Sequence, residues 1–424
     1  VGIQTSADNI YHLTKVADGR YISHADKQNP QEIAIEDGLM KPLISGSEAK
    51  RYQQPMTETY LLFPYDLSGD RPKLFTQQQM QIQFPQGWKY LQVHENTLRG
   101  REKGKFNNDA WYQFGRNQNI DKQHLKKLLI PRLVKTLFCA PDEGGQFCMD
   151  NVDVGGVIAN EENFYFLMSL LNAPVANFVW RRISKPFQND FYSANKQFIA
   201  PLPIPNANEE QKAQIGELAQ TLQNVHSEYR NKLAQFDKRL ASSQMLAEPK
   251  GLEWLWADIC PVKDTKKSDQ AKATGLKGKD LTEWAKQQAQ KILDKNLQPL
   301  AAQLNAKTTM SIHYQDGELR LLANGIEVIT QYITDEEAAL IVPQWRQTIR
   351  TTHITPSVTA EKLVGHLLKL KTTNNPSLIQ QLNTLDTALE TLQTQIQTKE
   401  TEINQHIYQL YNLTQDEIQL IGGG

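Results

Sequence analysis

Cysteine is scarce: Cys139, Cys148 and Cys260 are the only three in 424 residues. An odd count with no paired CxxC spacing argues against a disulfide framework or a zinc site, and it fits a reducing cytoplasm. Long apolar runs are missing as well. The best candidate, 164–180, is interrupted by Ser169, Asn172, Pro174 and Asn177 and falls short of the ~20 apolar residues that a membrane span requires. It reads as a buried helix, and no membrane partner is expected. No secretory signal is present, and the chain opens on Val1 inside a patterned segment, as a piece cut from something longer would. Charge of one sign is also lacking overall. With 46 Lys+Arg against 47 Asp+Glu the net charge is -1, which excludes a chain basic throughout but allows one basic face balanced elsewhere.

Catalytic signatures are equally sparse. There is no GxxxxGK[ST], no GxGxxG and no HExxH. No Pro-Pro pair occurs, so the proline–proline–aromatic motif with which amino-methyltransferases grip a flipped base is absent. Pro141-Asp142-Glu143 resembles the start of a metal-dependent nuclease motif, but no lysine follows at the required spacing. With Gly144-Gly145 behind it, a turn is the better reading. His94-Glu95-Asn96 has no partner histidine nearby and reads as a loop. No catalytic, cofactor-binding or metal residue is assigned, so the chain by itself carries no enzymatic assignment, and an autonomous nuclease ranks low.

The richest stretch is 167–205. Met168, Leu171, Val175, Phe178 and Val179 recur at helical spacing and should face a core. Arg181, Arg182 and Lys185 follow, with Phe187, Phe191, Tyr192 and Phe198 interleaved among Gln188, Asn189, Asn195 and Gln197. Cations beside amides suit a surface that grips phosphates and reads base edges. Pro201, Pro203 and Pro205 then end the unit. Twin arginines at a helix end also suit the macrodipole, and at most one of two adjacent residues is expected to touch a ligand. A second basic window runs from Arg99 to Lys135, with ten cations against three acids. It holds Trp111, Tyr112, Phe114 and the amides Asn107, Asn108, Gln113, Asn117, Gln118 and Asn119. A solvated face is the ordinary reading of a charge run; the local excess and the crowding of amides favour a nucleic-acid surface.

At this length two or three domains are expected. The pattern divides the chain into a recognition domain (1–205), a long helix (206–250), an insertion (251–374) and a second long helix with the chain end (375–421). β-like runs fall at 10–16, 33–35, 59–64 and 152–158. Ile215, Leu222, Tyr229 and Phe236 repeat every seventh residue, as do Leu382, Leu389, Ile396, Ile403 and Leu410, so the helices at 209–245 and 376–411 should pair antiparallel. The insertion opens with Trp254, Leu255 and Trp256, continues as a lysine-rich loop over 262–279 and a β segment around Asp316-Gly317, and ends as a helical tail over 336–370.

Several segments carry a family resemblance: GIQTSADNIYHL (2–13), MKPLISGSEAKRY (40–52), WYQFGRNQNID (111–121), PRLVKTLFCAPDEGGQFCMDNVDVGGVI (131–158) and NKQFIAPLPIP (195–205). In this order they resemble the C-terminal target-recognition region of type IIG restriction–modification enzymes and related adenine-specific DNA methyltransferases. INQHIYQLYNLTQDEIQLI (403–421) is similar to the helical ending of those proteins and of type I specificity subunits. The resemblance covers 1–250 and 375–421. It implies a parent that binds S-adenosylmethionine and methylates adenine in duplex DNA, with or without cleavage, through a methyltransferase domain upstream in the same polypeptide. No cofactor is expected in this chain.

The expectation is an α+β protein: a mixed α/β target-recognition domain followed by two long antiparallel helices with an inserted accessory subdomain. Its partner is double-stranded DNA. Arg99, Arg101, Lys103, Lys105, Lys126 and Lys127 are the candidate phosphate anchors. Arg116, Asn117, Gln118 and Lys185 are candidate base readers, with Arg181 and Arg182 as further DNA-binding candidates. Gln4, Thr5 and Ser6 are placed at the groove or at the methyltransferase joint. The alternative is a protein-interaction scaffold built on the paired coiled helices, without DNA readout.

Overall fold

Residues 2–69, 71–245, 259–355 and 357–422 are described by a computed structural model. They divide into two units, Val1–Glu228 with Thr394–Gly424, and Tyr229–Gln393. The architecture is α+β, as expected.

In the first unit, short runs bounded by turn residues become strands. β1 (His12–Ala17), β2 (Arg20–Ser23) and β3 (Gln31–Ala34) form an antiparallel meander. Gly19, at φ +69°, makes the first turn in a left-handed conformation that costs glycine no Cβ clash. β4 (Met40–Ile44) and β5 (Thr59–Leu62) extend the sheet, with β5 between β4 and β1. A second sheet has β6 (Lys127–Pro131) at its centre, beside β7 (Ala140–Asp142). β8 (Cys148–Met149) joins the edge of the first sheet parallel to β4, and β9 (Val154–Ile158) completes the second. Every residue of β6 is buried because both its faces are covered. Leu128 and Ile130 pack with helices on one side, and Leu129 with Ile44, Phe147 and Met149 on the other.

Two short helices close the first sheet. α1 (Gln77–Gln83) starts on a reciprocal capping box between Thr76 and Gln79, and α2 (Pro85–Val93) starts on Pro85, whose missing N–H is harmless at the first turn. They bring Met80, Trp88 and Leu91 onto Tyr11, Leu13, Tyr21, Trp111 and Phe114. The single buried helix expected over 164–180 is two helices, α3 (Phe164–Asn172) and α4 (Pro174–Ile183). Pro174 has no N–H for a continuous ladder, so Ala173 turns extended and a new helix begins. The phase shifts with the break. Met168, Leu171 and Val175 are buried as expected, whereas Phe178 and Val179 are half-buried and Trp180 takes the core position.

α5 (Glu209–Leu240) begins in the first unit and ends in the second. The second unit holds α6 (Gly278–Gln303), a meander of β10 (Met310–Gln315), β11 (Glu318–Ala323) and β12 (Ile326–Tyr332), then α7 (Asp335–Thr351) and α8 (Ala360–Leu367). Asp316 and Gly317 both have positive φ, the geometry of a two-residue hairpin turn. The tail read as one helical stretch is thus two helices. The lysine-rich stretch expected as a loop contains short helices at Val262–Lys267 and Asp269–Ala273. Trp254, Leu255 and Trp256 lie outside the described residues.

α9 (Pro376–Leu410) returns across both units, and α10 (Gln415–Gly422) follows it. Within the first unit Ile215, Ala219 and Leu222 share a core with Ile403 and Ile407. Within the second, Phe236 shares one with Leu378, Leu382 and Leu389. Within the first unit Ile215, Ala219 and Leu222 lie with Ile403 and Ile407 while His226 meets Glu400, so rising numbers on α5 meet falling numbers on α9 and this part of the seam pairs antiparallel. Among the described residues no helix is long and apolar enough to cross a membrane.

Candidate nucleic-acid interface

The N-terminal segment reaches the basic window through backbone pairing. Gln4 bridges Arg116, and the carbonyls of Gln4 and Thr5 accept from Arg116 N and Gly115 N, both at 3.0 Å. Glycine is required at 115, because a Cβ there would lie 1.9 Å from Ser6 Oγ. Ser6, Glu102, Lys103 and Gly104 all have positive φ, so a left-handed run at 102–104 faces a left-handed Ser6. The Glu102 carboxylate joins them. It accepts from Arg116 Nη1 at 2.7 Å and Ser6 Oγ at 3.2 Å, with Lys105 Nζ at 3.5 Å. These contacts, the Arg116 hydrogen bond foremost, hold its pKa below the usual carboxylate range. Lys103, Lys105, Arg116, Asn117 and Gln118 are all exposed beside it. Asn117 is oriented by Tyr65, whose hydroxyl donates to Asn117 Oδ1 at 2.8 Å.

Other expected site residues are corrected by burial. Arg101 is 7% exposed and donates to the carbonyls of Leu98, Thr5, Trp111 and Gln113 at 2.6–2.9 Å, its guanidinium 4.3 Å from the Phe106 ring. With four of its five N–H groups on carbonyls and the side chain buried, Arg101 organises this loop instead of facing a phosphate. Lys127 is fully buried, with Nζ 2.5 Å from Asp142 Oδ2 and 2.6 Å from the Gln123 carbonyl. Thr5 is fully buried too; its hydroxyl donates to Asp8 and accepts from Ala7 N, so it supports the segment from behind. Arg99 is half-committed, bound to Glu95 at 2.8 Å and the Asn108 carbonyl at 2.8 Å beside the Trp111 ring. Lys126 pairs with Glu161 at 2.7 Å over the Phe164 ring.

The 181–193 cations form a second group, at the end of α4. Arg181 pairs with Asp190 at 2.6 Å and lies over Tyr192, and Arg182 donates to the Phe178 carbonyl. Lys185 is exposed, 5.5 Å from the Phe187 ring. Sequence reasoning missed Glu102 as the organiser of the first group and Gly115 as the position whose missing side chain makes room for Ser6. An acid inside a basic window is the only trace either leaves.

Pro141-Asp142-Glu143 is structural. Asp142 accepts from Gln146 N and Phe147 N as well as Lys127, and Glu143 holds Tyr165 and Gln223. Among the described residues no cluster of His, Cys, Asp and Glu could hold a metal. A cavity of about 510 Å³ lies between Ile130, Leu167, Leu171 and Ile199, with Lys122, Arg132 and Lys196 among its lining and no carboxylate. Cations and apolar walls do not suit the positively charged sulfonium or the ribose hydroxyls of S-adenosylmethionine, so this cavity does not fit that cofactor.

No protein-family model matches the chain. Curated relatives do. The chain is 27% identical over 230 residues to the type II methyltransferase M.BanIII of Aneurinibacillus aneurinilyticus, a match covering 50% of this chain and 35% of that protein. It is 22% identical over 207 residues to the type II methyltransferase M.BstVI of Geobacillus stearothermophilus, covering 49% and 32%. The type II restriction enzyme and methyltransferase RM.Eco57I of Escherichia coli is 22% identical over 285 residues, covering 62% and 28%. The homologues are type II restriction–modification methyltransferases. This chain spans about a third of their length. Among solved structures, the type IIL restriction–modification enzyme MmeI in complex with DNA aligns over 69% of this chain and 32% of that one, at 14% identity and a TM-score of 0.37.

Proposed function

We propose that this chain is the target-recognition region of a restriction–modification enzyme. It reads a short duplex sequence and presents an adenine to an S-adenosylmethionine-dependent methyltransferase domain of the same polypeptide. The observation that carries the reading is the exposed group of Glu102, Lys103, Lys105, Arg116, Asn117 and Gln118, tied to the half-buried Ser6, in a chain whose homologues are DNA methyltransferases. Lys103 and Lys105 supply phosphate contacts, which position a duplex, and Arg116 and the amides offer the donors and acceptors that match guanine and adenine edges. The scaffold alternative is weakened because each heptad seam is already filled within its own unit. Selection from a random duplex pool at low salt tests the reading. Enrichment of one short sequence supports it; retention of the pool without enrichment refutes sequence readout.

A further inference from the structure

The second cationic group carries a feature that duplex backbone contact leaves unused. After α4 the chain leaves on Ser184, and the base of the following loop is closed by buried bonds. Ser184 Oγ and Trp180 Nε1 both donate to the Ser193 carbonyl, at 2.5 and 3.0 Å, and Ser193 N donates to the Lys185 carbonyl at 3.0 Å. Higher up, Phe187 N donates to the Phe191 carbonyl at 2.7 Å. The reversal uses two consecutive left-handed residues, Asn189 (φ 59°) and Asp190 (φ 62°), and Arg181 clamps the Asp190 carboxylate. The tip is therefore pre-organised. It nevertheless holds Phe187 at 49% exposure, with Gln188 and Asn189 exposed beside it.

A rigid loop that presents a large ring to solvent forgoes ring burial, so its geometry suits a flat apolar surface supplied from outside. The charges around the ring narrow what that surface is. Lys185 lies beside Phe187, Lys135 lies 5.3 Å from the Phe191 ring, and Arg182 is exposed one turn back. Asp190, the loop's acid, is already neutralised by Arg181. An aromatic plane ringed by cations and amides matches a nucleobase flanked by phosphates, since every base offers a π face and its backbone an anion on either side.

We propose that the 185–193 loop is a stacking finger: Phe187 packs against an unstacked nucleobase of bound DNA while Lys135, Arg182 and Lys185 meet the flanking phosphates. This rests on the DNA-binding reading above and adds to it a site for a base displaced from the helix.

The test uses the full chain, a fluorescent duplex with one unpaired base and the same duplex fully paired. The wild type should prefer the bulged DNA. Phe187→Ala should lose that preference by about tenfold, the scale of one base–aromatic stack, and Phe187→Trp should keep it. Equal affinity of wild type and Phe187→Ala for the bulged DNA overturns the finger while paired-duplex binding leaves the parent reading standing. No binding to either DNA overturns both. Loss of binding to phosphatidylglycerol vesicles in Phe187→Ala, with its DNA preference unchanged, overturns the finger in favour of a lipid surface.

Discussion

Lys127 Nζ sits 2.5 Å from Asp142 Oδ2 with both side chains sealed from solvent, and the pair ties the start of β6 to the end of β7. Removing one partner leaves a buried charge without its counter-ion, which costs about 3–5 kcal/mol. Lys127→Ala should lower stability by that amount in urea unfolding followed by circular dichroism. Lys127→Met with Asp142→Asn should recover much of the loss, because the amide oxygen can still accept from the backbone N–H groups that the carboxylate holds. Additive single and double losses would show that the two charges do not depend on each other.

Lys103 and Lys105 are exposed; Lys105 Nζ pairs with Glu102 and lies 5.8 Å from the Phe106 ring. Replacing both by alanine should weaken binding to every duplex alike. The slope of log affinity against log salt should fall by about two, near 0.9 for each phosphate that is no longer neutralised. An unchanged slope removes both from the footprint.

Arg116 is held by Glu102 with its guanidinium at the surface. Arg116→Ala should relax discrimination at one base pair by about 1–3 kcal/mol and leave the other positions intact, read by competition among single-base variants of the selected site. Retained selectivity at every position would show that Arg116 reads no base.

His94 packs edge-on against Tyr90, with ring centroids 4.8 Å apart, and burial pushes its pKa below the ordinary imidazole value. The unfolded chain binds a proton there near pH 6.5 while the folded chain resists it, so stability is fully present above that pH and falls as the solution is acidified. His94→Gln should flatten this part of the profile of unfolding free energy against pH between 7 and 5. An identical acid slope in the variant rules out His94 as its source.

The helix pair shows what patterning makes legible. Ile215, Leu222 and Phe236 on α5, and Leu382, Leu389 and Ile403 on α9, were identifiable as buried seams because burial on a helix is periodic. The β-like runs at 10–16, 33–35, 59–64 and 152–158, legible from turn residues at their ends, overlap the strands at 12–17, 31–34, 59–62 and 154–158 without matching their bounds. Pro174 could be seen as a breaker, yet its effect on phase, which buries Trp180 in place of Phe178, depends on how α4 docks.

Charge was another matter. The sequence by itself determined the elements, their order and the crowding of cations between Arg99 and Lys135. Which of those cations face water was decided by tertiary structure alone. A lysine's preference for solvent is local, but Asp142, fifteen residues away, makes Lys127 an interior residue, and carbonyls as far off as Thr5, Trp111 and Gln113 do the same for Arg101. The partners that bury or release a charge are distant in the chain, and no local pattern records where folding will bring them.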